Sequence, residues 1–118
     1  MSSTSPPGIR IVLTTLAADA DARRIARTLV EEQLAACVNI LAPMTSVYRW
    51  KGRIAEDREQ QLVIKTSAER LAALQARLIA LHPYEIPELL VLEADGAAAY
   101  AAWVVETTGP GLPDVKRR

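Results

Sequence analysis

The segment LHPYEIPELLVL, at positions 81–92, holds most of the side chains in this chain that could do chemistry. It contains the only histidine, His82, followed by Tyr84, Glu85 and Glu88. An imidazole near carboxylates is typical of a metal site or of acid–base chemistry. An imidazole at the end of a helix also hydrogen-bonds the last carbonyls. We favour this capping role for His82 and keep metal ligation by His82 and Glu88 as the alternative.

Glu88 directly precedes an apolar run, so its carboxylate should lie close to the core. A carboxylate in that position needs a partner, and we expect Lys65, Arg49 or a neighbouring chain to supply it. Tyr84 and Glu85 lie between two prolines, which hold the turn rigid. Such a turn fixes the direction of both side chains, either for packing or for lining a ligand cleft.

The second candidate segment is VYRWKG, in which Tyr48, Arg49 and Trp50 are followed by Lys51 and Gly52. The Lys-Gly pair predicts a tight hairpin turn, with Gly52 at positive φ. An aromatic and basic strand is able to stack nucleic acid bases. Tyr, Arg and Trp are also enriched at protein interfaces. Because the chain has no net charge, we favour an interface.

The single cysteine, Cys37, lies between apolar residues at a predicted strand start. We expect a buried, slowly reacting thiol, with a reactive or metal-binding thiol as the alternative. One cysteine excludes an internal disulfide and cysteine-rich zinc motifs. The sequence has no glycine-rich phosphate loop and no local pairing of a nucleophile with a base, so we do not expect an enzyme.

Composition limits the remaining classes of function. Lysine plus arginine equals aspartate plus glutamate, 14 of each in 118 residues, which gives no indication of binding to nucleic acid or to an anionic membrane. The amino terminus does not resemble a signal peptide, and no apolar run is long enough to span a bilayer. We therefore expect a cytoplasmic protein, with one domain at residues 9–108 and flexible tails at 1–8 and 109–118.

The hydrophobic pattern predicts the element order β-α-β-β-α-β followed by a third helix. This order is typical of an α+β, ferredoxin-like antiparallel sheet with two helices on one face. Two long strands meet at the Lys-Gly turn, and the first of them bends near Pro43. The first helix is predicted to bury one face, formed by Ala22, Ile25, Ala26, Leu29 and Gln33. The second helix buries Leu71, Leu74, Leu78 and Leu81. Three caps are predicted: Asp19 or Asp21, a Thr66–Glu69 capping box, and Asp95.

Five segments occur in the order typical of the CutA family of divalent-cation-tolerance proteins: EEQLAACVNI, SVYRWKGRI, LVIKT, LHPYEIPELLVL and YAAWV. The chain resembles that family from about residue 9 to about residue 108. The resemblance implies a fold similar to that of the PII signalling proteins. It also implies a compact homotrimer whose long hairpins extend onto neighbouring subunits, and a role in the response to copper or other divalent cations without enzymatic activity.

The chain departs from the family at one candidate site. Copper binding in some bacterial members is attributed to a cysteine on the first strand and two adjacent histidines, where this sequence has Thr14, Leu81 and His82. We therefore expect weak or indirect divalent-cation binding that is lost on His82→Ala. There are two alternatives. The first is a PII-like small-molecule sensor with a ligand at the cleft between subunits, and the second is a structural scaffold trimer. The residues predicted for such a cleft or interface are Cys37, Tyr48, Arg49, Trp50, Lys65, Tyr84 and Glu85.

Overall fold

A computed structural model describes residues 8–109, and the predicted tails lie almost entirely outside this range. The described part contains the following strands and helices: β1 Ile9–Ala17, α1 Ala22–Glu31, β2 Cys37–Ile40, β3 Met44–Trp50, β4 Arg53–Ser67, α2 Leu71–Leu81, β5 Leu90–Ala94 and α3 Ala98–Thr107. A 3-10 turn, Ala68–Arg70, leads into α2. No helix in this range is both long and apolar enough to cross a membrane. The predicted α+β architecture and element order are confirmed.

All five strands form one antiparallel sheet, in the order β2-β4-β1-β5, with β3 also paired to β4. Both β2 and β3 pair with β4, so together they act as one strand that is interrupted at residues 41–43. Counted as one, they give the strand order of the ferredoxin-like fold. Pro43 lies in the interruption, where it removes a ladder donor without cost to either paired segment.

The two faces of the sheet differ in what covers them. Side chains alternate along a strand, and the even-numbered positions Val12, Leu16, Leu62 and Ile64 form the main core with α1 and α2. The odd-numbered positions face the other way. At one end of that face, Ile9 packs with Ala36 against α3. The main core therefore lies between the sheet and two helices, as the sequence predicts.

Beyond α3, the same face of the sheet, to which β5 contributes its even-numbered positions, carries apolar side chains that no described element fully covers. We call this region the open face, and it consists of Ile11, Leu13, Val63, Leu90 and Leu92. Leu90 is 54% exposed and Leu92 is 49% exposed, although both lie in a strand. Register places Leu92 beside Ile11 and Leu90 beside Leu13, so the exposed leucines continue an apolar surface and are not isolated.

The β3–β4 hairpin projects from the domain, as is shown by the exposure of large apolar side chains on both of its faces. Val47 and Ile54 are more than 60% exposed on one face, and Trp50 is 42% exposed on the other. The chain reverses through Lys51 and Gly52, whose φ angles are +50° and +78°. Positive φ at both central residues gives a turn whose twist matches that of the strands. The predicted turn is confirmed, and Lys51 shares the left-handed conformation that we assigned to Gly52 alone.

Helix boundaries confirm one predicted cap and correct others. The Asp21 carboxylate accepts a hydrogen bond from the Arg24 amide at 3.1 Å and caps α1. The Thr66–Glu69 capping box is wrong, because Thr66 still belongs to β4 and its hydroxyl donates to the Leu34 carbonyl.

Two further boundaries differ from the sequence pattern. The first residue before α3 is Ala97, with no side-chain cap, so Asp95 does not cap this helix. Gln33, which we placed on the buried face of α1, lies beyond the helix end at φ +58°. A residue in the left-handed conformation terminates a helix, and therefore the apolar stripe of α1 ends at Leu29.

Candidate functional site

A groove of about 690 Å³ lies between the projecting hairpin and the segment that joins α2 to β5. We call it the hairpin groove. The strands contribute Thr15, Met44, Ser46, Tyr48, Trp50, Glu59 and Gln61, and the connecting segment contributes residues 83–88. The volume falls within the range of small-molecule sites, about 300–1,000 Å³. The groove is larger than two other surface pockets, which have volumes of about 480 Å³ each.

Strand alternation explains why these side chains meet. Positions 44, 46, 48 and 50 of β3 share one face, and β4 places Glu59 directly opposite Met44. Gln61 follows on the same face of β4 and lies opposite Thr15 of β1. The rigid Pro-Tyr-Glu-Ile-Pro-Glu segment then passes over this face. Three adjacent strands therefore form the floor and one wall, and the proline-rich segment forms the other wall.

Two glutamates are held in the groove by neutral donors. The Tyr84 hydroxyl donates to Oε2 of Glu59 at 2.7 Å. The Thr15 hydroxyl donates to Oε2 of Glu88 at 2.9 Å, and the Gln61 amide donates to the same oxygen at 3.4 Å. Glu59 is only 7% exposed. Within residues 8–109, neither glutamate forms an ion pair with a lysine or arginine.

His82 lies beneath this segment and is 7% exposed. Its main-chain amide caps α2 by donating to the Leu78 carbonyl. Its Nε2 lies 2.9 Å from the Thr15 carbonyl oxygen, and its Nδ1 is 3.1 Å from the Tyr84 amide nitrogen. A carbonyl only accepts and an amide only donates, so Nε2 carries the proton and Nδ1 accepts. This arrangement requires neutral imidazole, and it uses both ring nitrogens.

Burial and hydrogen bonds shift two pKa values at the site. Burial lowers the pKa of His82, opposed by its hydrogen bond to the Thr15 carbonyl and by the negative charge of Glu59. Burial raises the pKa of the Tyr84 hydroxyl, and the hydrogen bond to Glu59 raises it further. Near neutral pH, therefore, His82 is uncharged, and Tyr84 keeps the proton that it donates to Glu59.

The structure divides the predicted site residues into two groups. Tyr48, Trp50, Tyr84, Glu85 and Glu88 line the hairpin groove. The remaining predicted residues, His82, Cys37, Lys65 and Arg49, do not line it. Arg49 lies on the opposite face of β3, and its guanidinium reaches the Gly52 carbonyl at 3.5 Å.

Lys65 and Cys37 lie at a distance from the groove. Cys37 pairs with Lys65, four residues from Gln61 along β4, a separation of about 13 Å at the usual strand rise. Cys37 is partly exposed in the single chain, so the expectation of a buried thiol is wrong there. Lys65 donates to the Asn39 side chain. The partner of Glu88 is thus the Thr15 hydroxyl, and the expected pairing with Lys65 or Arg49 is wrong.

The geometry does not favour His82 as a metal ligand. A metal would have to displace the hydrogen bond to Thr15 or the one to Tyr84, because no ring nitrogen is free. Thr14 donates its hydroxyl to the Glu88 main-chain carbonyl at 2.7 Å. Across the described residues, no three His, Cys, Asp or Glu side chains are grouped so as to hold an ion.

Sequence reasoning missed Glu59, Thr15 and Gln61. The signal for them was present in the charged half of β4: alternation puts Glu59 and Gln61 on the same face as Tyr48 and Trp50 across the hairpin. Thr15 has no comparable signal, because its position depends on the pairing of β1 with β4.

The chain matches the family model described as CutA1 divalent ion tolerance protein, over residues 10–107. A relative from Thermus thermophilus, named divalent-cation tolerance protein CutA, is 47% identical over 100 residues, which cover 84% of this chain and 97% of the relative. The human protein CutA is 38% identical over 104 residues, which cover 87% of this chain. The matched region spans 58% of that human protein.

Solved structures give the same assignment. The divalent cation tolerance protein of Thermus thermophilus superposes with a TM-score of 0.81 at 46% identity and covers 86% of this chain and 99% of its own. A protein from Nostoc described as the PII-like protein CutA in apo form has a TM-score of 0.79 at 40% identity, covering 85% of this chain and 97% of its own. This chain therefore belongs to the CutA1 family of divalent ion tolerance proteins.

Proposed function

We propose that the protein is a homotrimer that takes part in divalent-cation tolerance and binds such cations weakly or indirectly. The open face is the observation that carries self-association. It presents Ile11, Leu13 and Val63 beside the exposed Leu90 and Leu92 in one continuous apolar surface. Contiguous apolar patches on a sheet are rare on monomers and mark interfaces. The stoichiometry of three is what the CutA resemblance implies.

Two other features support self-association. Within residues 8–109, strand β5 pairs only with β1, so in this part of the chain its outer edge presents unpaired backbone groups that can accept another strand. On the face opposite to Tyr48 and Trp50, the hairpin leaves Val47 and Ile54 each more than 60% exposed, and exposed apolar side chains that lie together favour burial against another copy. The outer edge of β5, the open face and the β3–β4 hairpin are thus all available for contact between copies.

Sedimentation equilibrium on two matched variants tests the assembly. Leu92→Asp places a charge on the open face, where desolvation in an interface disfavours association. Ile79→Asp is the control, because Ile79 is similarly exposed at 56% but lies on α2, on the opposite side of the sheet. We expect a trimer mass for the native protein and for Ile79→Asp, and a lower mass for Leu92→Asp. A monomer mass for the native protein at micromolar concentration would contradict the proposal.

Weak cation binding follows from the donors that the chain offers. With both nitrogens of His82 occupied, the available ligands are carboxylates such as Glu59 and Glu88, which favour harder ions than copper. Calorimetric titration with Cu²⁺ and Mg²⁺ tests this point. We expect no tight Cu²⁺ site, and we expect any weak binding to survive His82→Ala. Tight Cu²⁺ binding would overturn the proposal of weak binding, and its loss in His82→Ala would restore His82 as a ligand.

A second candidate function is small-molecule sensing in the hairpin groove, which is favoured by the groove's size and by its buried polar floor. A thermal-shift scan of metabolites tests it, because a ligand that binds only the folded state raises the unfolding temperature. We also propose a non-catalytic protein of the cytoplasm. The lone Cys37 is compatible with a reducing compartment.

A further inference from the structure

The hairpin groove is acidic and has no basic lining. Its walls include Glu59, Glu85 and Glu88, and no lysine or arginine is among the described residues that line it. A concave site lined by charges of one sign concentrates that field and attracts the opposite charge. This property concerns the groove only, because the whole chain is neutral.

Glu59 and Glu88 each keep one carboxylate oxygen without a hydrogen-bond donor among residues 8–109. All hydrogen bonds to Glu59 and Glu88 side chains within residues 8–109 go to Oε2, from Tyr84, Thr15 and Gln61. The Oε1 atom of each has no donor in that range. Glu59 is more than nine-tenths buried and lines the groove. Neutral donors leave its negative charge uncompensated, and a buried carboxylate is costly without a positive partner.

Beside the polar Thr15, Ser46 and Gln61, the groove also has an apolar and aromatic part. Met44 and Trp50 on β3 face Ile86 and the two prolines of the connecting segment. An occupant that matches both the acidic glutamates and the apolar part of the groove carries a positive charge at one end and hydrocarbon at the other.

We propose that the hairpin groove binds a small organic cation, an ammonium or guanidinium group on an apolar or aromatic body. Oε1 of Glu59 and of Glu88 accepts hydrogen bonds from the cationic head, while Trp50 and Ile86 contact the body. The proposal rests on the small-molecule function of this groove. A bare metal ion fits less well, since the described residues offer no group of three close ligands. The groove volume of about 690 Å³ suits a free small molecule. An arginine side chain from a second copy of the protein could also place a guanidinium group in the groove, and the experiment below distinguishes the two sources.

Isothermal titration calorimetry with a charge series tests the proposal on the full chain. 2-Phenylethylamine and agmatine are the cationic probes, 2-phenylethanol is the neutral match, and 3-phenylpropanoate is the anionic match. We expect 2-phenylethylamine to bind at least about tenfold more tightly than 2-phenylethanol and 3-phenylpropanoate not to bind. Glu59→Gln and Glu88→Gln should each weaken binding of the amine about tenfold or more.

Control variants separate loss of charge from loss of folding. Glutamine keeps an oxygen that accepts from Tyr84 or Thr15, so the Gln variants should retain the native unfolding temperature within a few degrees. Glu69→Gln, exposed and outside the groove, should bind the amine as the native protein does. Equal weakening in Glu69→Gln would show a general charge effect and would overturn the assignment to the groove.

The remaining outcomes distinguish this proposal from the broader one. Equal or tighter binding of the alcohol or the carboxylate would overturn the cationic class and leave small-molecule sensing intact. If no probe binds at millimolar concentration, the cationic class fails, and the sensing function fails with it only if the metabolite scan is also blank. If no probe binds and Glu59→Gln lowers the sedimentation mass, the cation comes from a second copy and the free-ligand proposal is wrong.

Discussion

Replacement of His82 by alanine should destabilise the fold strongly. The imidazole is almost fully buried and links three elements. Its amide caps α2, its Nε2 donates to the Thr15 carbonyl of β1, and its Nδ1 accepts from Tyr84. Its ring also lies 5.0 Å from the Tyr84 ring, measured between centroids. Alanine keeps only the main-chain contact.

The magnitude follows from the contacts that are lost. Each hydrogen bond contributes about 1 kcal/mol net, and a buried group left without its partner costs about 1–3 kcal/mol. The ring contact with Tyr84 adds about 0.5–1 kcal/mol. In the alanine variant, water can hydrogen-bond part of the time to the Thr15 carbonyl and the Tyr84 amide, which reduces the cost of losing the imidazole. We therefore expect a loss of about 2–4 kcal/mol in the free energy of unfolding. Such a value lies in the upper part of the range for point mutations.

Urea unfolding, followed by circular dichroism at one fixed protein concentration, measures this loss without a change in the assembly equilibrium. Two further variants divide the effect between the nitrogens. His82→Gln can place an amide N–H near the Nε2 position, and His82→Asn can place an oxygen near the Nδ1 position. Each should recover part of the stability. A loss below about 0.5 kcal/mol for His82→Ala would refute the reasoning that these hydrogen bonds hold the segment in place.

Three further predictions concern pH, the thiol and the hairpin turn. Because burial lowers the pKa of His82, the unfolded chain takes up a proton at a higher pH than the folded chain does, so stability should be constant above about pH 6.5 and should fall as the pH drops below it. Urea midpoints across this range should show the decline for the native protein and a smaller one for His82→Gln, and an increase on acidification would contradict the assignment. Cys37 lies at the edge of the open face, so a thiol reagent should label it slowly in the native assembly and rapidly once urea dissociates the subunits; fast stoichiometric labelling of the native protein would contradict burial in an interface. Gly52→Ala meets no steric obstruction, but at φ +78° the left-handed backbone should cost about 1 kcal/mol in urea unfolding, and an unchanged midpoint would show that the turn relaxes.

The fold was predictable because its signals are local. Apolar periodicity located both core helices, and the Lys-Gly pair located the turn that sets the register of β3 against β4. The errors lie where tertiary contacts overrule a local pattern. Thr66 has the spacing of a capping residue, but its hydroxyl is used by the Leu34 carbonyl, and the strand therefore continues through it. Such a choice depends on a residue 32 positions away, which a short sequence window does not contain.

The site was only half predictable, for a related reason. The connecting segment is contiguous in sequence, so Tyr84, Glu85 and Glu88 could be named together. Their partners come from β1 and β4, which are brought to them by sheet pairing. The expectation that Glu88 pairs with Lys65 followed from charge alone, and it failed because a threonine hydroxyl lies closer in the folded chain. Chemical type predicted that Glu88 needs a partner, and only the register identified it.

Thr15 connects the fold of the segment to the chemistry of the groove. Its carbonyl accepts from His82, and its hydroxyl donates to Glu88, so one residue of β1 contacts both a structural and a ligand-facing side chain. Neutral His82 holds the backbone of the segment, and the position of the Glu88 carboxylate depends on that backbone. The only histidine of the chain thus serves to position an acidic groove. The segment from His82 to Glu88 is therefore held against β1 by hydrogen bonds of the chain's own groups, and this arrangement does not depend on a metal ion.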